Sequence, residues 1–224
     1  LYEVTHNETL HRILEARAQL GIAGSGAATA VKALGVALPA APFDVVRFDG
    51  GTVIRLDERR SQLAVRTDAA PQIWETLASS ARPVGTPAWR WLEIEAGIPH
   101  ITLPTQEEFV PQMANLELLG GVSFTKGCYP GQEVVARTKY LGKVKRRTYR
   151  AHINGDCPLP GTDLFSPDLP EQSCGKVIQA APSPSGGCEL LASMLMSSAE
   201  AGDVRVGSID GLRLEFRSLP YALE

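Results

Sequence analysis

No apolar run in this chain of 224 residues approaches the roughly 20 residues that a membrane-spanning helix needs. No basic-then-apolar signal pattern opens it either, so a soluble, cytoplasmic, monomeric protein is expected. The four cysteines, Cys128, Cys157, Cys174 and Cys188, form no Cys-x-x-Cys or Cys-x-His pair. That spacing argues against a zinc or iron–sulfur cage built by this chain alone. The four histidines, His6, His11, His100 and His152, are scattered and match no His-Glu-x-x-His spacing, which disfavours a metalloenzyme. The turn Gly24-Ser25-Gly26 lacks both the lysine of a phosphate loop and the full glycine pattern of a dinucleotide site. No internal repeat is present. An even cysteine count allows two disulfides, but a chain this long buries a core without staples and carries no secretory signal, so the thiols are expected to be reduced.

The net charge of -3 hides a segregation. Residues 126–150 hold eight cations (Lys126, Arg137, Lys139, Lys143, Lys145, Arg146, Arg147, Arg150) against Glu133, a window of +7 that leaves the remainder at -10. A solvated basic face and an anion-binding face both fit that window. A nucleic-acid module is disfavoured, because the rest is acidic and residues 137–150 offer only Tyr140 and Tyr149 as stacking platforms.

Along the chain, residues 7–17 place Leu10, Ile13 and Leu14 on one helical face. A short strand at 19–23 precedes a helix at 27–34, with Ser25 as cap and Gly35 as stop. Residues 45–48 and 52–56 alternate around Asp49-Gly50-Gly51, a hairpin signal. A third strand at 62–66 leads to a helix carrying Ile73, Trp74 and Leu77, capped by Asp68. From Arg147 onward, short apolar runs at 148–153, 176–180, 189–195, 204–206 and 212–216 alternate with Pro/Gly clusters, the texture of a small β-barrel or sandwich. The reading is α+β with antiparallel sheets, divided near Lys145 into domains 1–145 and 146–224.

Thr86-Pro87 starts a helix and Gly97 with Pro99 stops it. Its charges oppose the helix dipole, with Arg90 near the start and Glu93 and Glu95 near the end. Either a neighbouring arginine compensates and the tryptophans are core, or a carboxylate is held there for the N–H groups of a flat heterocycle that a tryptophan stacks upon.

The stretch Lys126-Gly127-Cys128-Tyr129-Pro130-Gly131-Gln132-Glu133 is the most informative. Pro130 and Gly131 suit a type II turn, and 132–139 reads as a helix. Cys128 then precedes a helix N-terminus, and with Lys126 nearby its thiolate is favoured. The alternative is an inert core cysteine.

Together with Ile94-Glu95-Ala96-Gly97-Ile98-Pro99, Pro111-Gln112-Met113-Ala114-Asn115-Leu116 and Val135-Ala136-Arg137, this segment resembles the YgfZ family. These are folate-binding proteins related to the glycine-cleavage T-protein and implicated in iron–sulfur cluster assembly or repair. The signature Lys-Gly-Cys-Tyr-x-Gly-Gln-Glu is complete, and the resemblance runs from about Leu20 to Tyr221. It implies ferredoxin-like antiparallel α+β layers arranged as in the T-protein around a tetrahydrofolate-sized hole, followed by a small C-terminal β-barrel. Part of that fold is expected to precede Leu1. On the same resemblance, Trp89 looks like the folate-contacting tryptophan and Glu95 like the glutamate that meets the pterin. Lys126 and Cys128 form the functional pair. Gln132, grouped with the folate-binding residues, stands where T-proteins commonly carry a basic residue.

The implied function is a tetrahydrofolate-binding accessory factor for iron–sulfur proteins or their assembly machinery, with downstream effects on tRNA modification. Cys128 would act there as nucleophile, cluster ligand or redox group. The alternative is a T-protein-like aminomethyl or one-carbon transferase, which the glutamine at position 132 counts against.

Overall fold

The computed structural model describes residues 16–223, apart from 128, 130, 141 and 143. The helix expected at 7–17 lies almost wholly outside them, and Arg17 already begins a strand. The chain divides into two compact units, Leu1–Val84 and Gly85–Glu224.

The first unit is a four-stranded antiparallel sheet with two helices. Strands β1 (Arg17–Ala23), β2 (Val45–Phe48), β3 (Gly51–Arg55) and β4 (Arg60–Arg66) take the order β1-β4-β3-β2. Asp49 and Gly50 make the expected hairpin loop, with Phe48 opposite Gly51. Alternation puts Leu20, Ile22, Val53, Leu63 and Val65 on one face. Helices α1 (Ala27–Lys32) and α2 (Ala70–Ala78) cover that face with Val31, Ile73 and Leu77. Neither expected cap forms. The cap positions fall to Gly26 and Ala69, with no side-chain cap bond, and the Asp68 carboxylate instead accepts the Arg66 Nε–H at 3.1 Å.

The second unit is built on a six-stranded antiparallel sheet, order β10-β5-β8-β7-β6-β9. Its strands are β5 (Arg146–Ile153), β6 (Asp163–Phe165), β7 (Gly175–Pro182), β8 (Cys188–Leu195), β9 (Arg205–Val206) and β10 (Glu215–Arg217). The sheet curls into a half-barrel because one stretch serves both edges. Leu212 and Leu214 exchange backbone bonds with Val206 and Val204, and Glu215–Arg217 then pairs with β5. Leu164, Val177, Leu190, Met194 and Leu214 fill the concave side. The other side of β8 is covered as well, so the strand is buried from Cys188 to Met194. Helix α3 (Thr86–Glu95) lays Ile94 on Leu191 and Ala181 there. Helices α4 (Gln132–Tyr140) and α5 (Met196–Ala201) complete the unit. The boundary expected near Lys145 therefore falls inside this unit, and the observed division comes at Val84.

The cysteine expectation is corrected. Cys157 and Cys188 are joined by a disulfide, while Cys174 is free and buried. The two partners stand 31 residues apart and meet only because β5 pairs antiparallel with β8, Ile153 opposite Cys188. Spacing alone carries no sign of that.

Among the described residues no helix is long and apolar enough to cross a membrane.

Candidate functional site

Gly85 stands at the head of α3 in extended backbone, and Pro87 occupies its first turn. The stop at Gly97 has two causes. Its φ is +67°, and a Cβ there would lie 2.7 Å from the Tyr221 ring. Tyr221 closes the turn by donating to the Gly97 carbonyl at 2.7 Å, and burial pushes its phenol pKa up. Past the stop, the Gln179 amide accepts the His100 N–H at 2.6 Å and donates to the Ile98 carbonyl at 3.1 Å.

The helix turns its carboxylates to different partners. Glu93 accepts the Trp89 indole N–H at 3.1 Å and faces the His100 Nδ1 at 3.5 Å. These are i, i+4 neighbours on one face. Glu95 lies on another face, where the Arg150 guanidinium of β5 engages its Oε1. Arg150 also reaches Glu189 at 3.2 Å, and a polar relay continues through His152 and Asn154 to Glu215. The compensating arginine is thus 55 residues from its carboxylate. The Trp89–Glu93 pairing was also missed, although spacing of four on a helix was its signal.

Cys128 and Pro130 lie outside the described residues. Gly131 has φ +82°, the Gln132 N–H donates to the Tyr129 carbonyl at 3.1 Å, and α4 begins at Gln132. Lys126 is exposed, with its ammonium 4.6 Å from the Tyr129 ring centroid. Trp89 and Glu95 thus share α3, whereas Lys126 and Gln132 flank the start of α4.

Strand β5 ties the two pairs together. Arg150 holds α3, and three residues earlier Arg147 pairs with Glu117 and donates to the Gln112 carbonyl at 3.2 Å. The Gln112 side chain in turn donates to the Val135 carbonyl of α4 at 2.7 Å. Asn115 clamps Thr148 from both sides, donating to its carbonyl at 2.8 Å and accepting its N–H at 3.2 Å. The Pro111–Leu116 segment is thus a buried polar joint between barrel and signature helix. Its signal was the short polar insertion Gln112/Asn115, which no periodicity marks.

Among the described residues no group of three His, Cys, Asp or Glu could hold a metal ion. A groove of about 580 Å³ opens elsewhere on the barrel, lined by Asn154, Gly202 and residues 212–216. Burial pushes the Cys174 thiol pKa up, which disfavours a nucleophilic thiolate there.

Fold and site define a mixed α/β protein with antiparallel sheets, one of them a half-barrel. No protein-family model matches the chain. Over 148 residues it is 40% identical to the tRNA-modifying protein YgfZ of Yersinia pestis (strain Pestoides F), a match covering 65% of this chain and 45% of that protein. The protein of the same name from Yersinia enterocolitica is 39% identical over the same shares. These matches support a place in the YgfZ family. The match spans less than half the length of these relatives.

Proposed function

We propose that this chain is part of a tetrahydrofolate-binding accessory protein that acts in tRNA modification by supporting iron–sulfur proteins. The observation that carries the reading is its 40% identity to proteins named for tRNA modification. The complete Lys126–Glu133 signature supports the same reading. For the folate part, α3 offers suitable chemistry. Trp89 supplies a half-buried aromatic ring fixed at its N–H by Glu93. Glu95 keeps acceptor capacity beyond its bond to Arg150, since a carboxylate has about four lone-pair sites. Bound tetrahydrofolate would supply a one-carbon carrier. This chain's residues would stack its pterin and accept its N–H groups. Cys128, ahead of α4, is the thiol such a protein would use as nucleophile, cluster ligand or redox group.

Calorimetric titration of the full-length protein with reduced folates tests the reading. Glu95→Gln removes a charge-assisted acceptor worth about 1.5–3 kcal/mol, so affinity should fall roughly 10- to 100-fold. Trp89→Ala should weaken binding and abolish fluorescence quenching. Wild-type affinity in both variants would refute the site, and a loss in Glu93→Gln alone would move it to the other face of the helix.

A further inference from the structure

Residues 137–150 offer only Tyr140 and Tyr149 as rings among their cations. The fold changes that inventory. Tyr149 leaves the surface story, since it packs edge-on against Phe216 at 5.9 Å beside the barrel core. Phe124 and Tyr129, from the loop before α4, join it instead. The Lys139 ammonium sits 4.1 Å from the Phe124 ring centroid, and Lys126 sits 4.6 Å from that of Tyr129. Tyr140 meets Phe124 edge-on at 6.2 Å and is 66% exposed. Arg137, Lys139 and Lys126 are exposed, and the acid on the helix is Glu133. Phe124, Tyr140 and Lys139 thus cluster at the end of α4, while Tyr129 and Lys126 pair ahead of its start.

We infer that the surface formed by α4 and the loop before it is an RNA-docking face, with cations taking phosphates and the rings taking unstacked bases of a tRNA loop. The inference rests on the reading that the chain serves tRNA modification. Charge alone would suit any polyanion. The rings favour RNA as the partner, because single-stranded RNA is bound by aromatic platforms set along a positive groove. The lysines bracing Phe124 and Tyr129 pre-orient those platforms, which lowers the ordering cost of binding.

The test is binding of the full chain to an unmodified tRNA transcript, followed by fluorescence anisotropy across a salt series. Three phosphate contacts predict a slope of log K against log salt of about -2 to -3. Arg137→Gln and Lys139→Gln should each reduce the slope's magnitude by about one. Tyr140→Ala should weaken binding roughly tenfold and leave the slope unchanged. Lys32→Gln, an exposed cation of the first unit, should change nothing. No binding at low salt would overturn the inference, as would an equal loss in Lys32→Gln. Poly-glutamate bound as tightly as the transcript, with Tyr140→Ala indifferent, would point to an acidic protein and overturn it too. Folate titration of the same variants separates the two readings. A face that binds no transcript on a protein that still binds folate sinks this inference alone.

Discussion

The sheet of the first unit and the half-barrel of the second are both antiparallel, yet they bury different chemistry. In the first, the core is Ile22, Val31, Val53, Leu63, Val65 and their neighbours, and the buried charge is Arg60, at the β3–β4 turn. In the second, Arg147, His152, Glu189, Gln112 and Asn115 are all buried beside an equally apolar core. Apolar packing of similar volume would serve stability as well as a buried ion pair or better. What the polar groups contribute is direction. Gln112 holds α4, Asn115 holds Thr148 of β5, and the partly buried Arg150 beside them holds α3. The unit that carries the signature is the one that spends stability on geometry.

The largest effect is expected at Arg147. Its side chain is 6% exposed and its partner Glu117 is 12% exposed, so Arg147→Ala leaves a buried carboxylate without its counter-charge. Urea unfolding should show a loss of about 3–5 kcal/mol. The double replacement Arg147→Met with Glu117→Leu should recover most of it. Glu117 Oε2 and the Gln112 Oε1 already lack partners among the described residues, which makes the joint poorly tolerant of further loss. A cost below about 1 kcal/mol would break the contrast between the units.

Next comes the Cys157–Cys188 link, which closes the end of the β5–β8 pair. Constraining a loop of this length is worth about 2–4 kcal/mol, so Cys157→Ser should lower Tm by on the order of 10 °C. Alkylation of the full-length protein unfolded in denaturant without reductant checks the bond directly. Labelling at both positions would show that it does not form.

How far the two units were legible follows from the same contrast. Local signals held in the first: the Asp49-Gly50 loop, the alternation through Val53 and Leu63, and the helix carrying Ile73 and Leu77 all stand where periodicity put them. Of its misread caps, Ser25 failed because the cap position falls one residue later at Gly26, and Asp68 because its carboxylate pairs with Arg66. In the second unit β5, β7, β8, β9 and β10 were legible from their apolar runs, though the three-residue β6 was not, and so were the Gly97 stop and the start of α4 at Gln132. The boundary at Lys145 was not, because α3 precedes the barrel in sequence yet packs on it through Ile94 against Leu191 and Ala181 and through the Glu95–Arg150 pair. The site was half legible for the same reason. Trp89, Glu95, Lys126 and Gln132 announce themselves by local pattern and family resemblance, while their supports, Arg150, Arg147 and Gln112, are distant residues that only strand pairing assembles.

The smallest effect belongs to the first unit and is a matter of acid titration. Asp57 closes the β3–β4 turn by accepting the Arg59 and Arg60 amides at 2.8 and 2.7 Å and the Arg60 Nε–H at 2.7 Å. Burial raises its pKa, but the Arg60 hydrogen bond and charge, with the two amides, outweigh that and hold it below the ordinary aspartate value. A depressed folded-state pKa contributes stability above the unfolded value, and that contribution is lost as pH falls through the folded one. The Asp57 side chain is 37% exposed, so solvent screening limits the contribution to less than about 1 kcal/mol. Asp57→Asn should therefore be slightly less stable than wild type at neutral pH, with the difference closing below the ordinary aspartate range. Chemical unfolding in a pH series reads this directly. A difference that stays constant into acid would mean that the turn depends on hydrogen-bond geometry and not on charge, and the first unit would then share the directional character of the second.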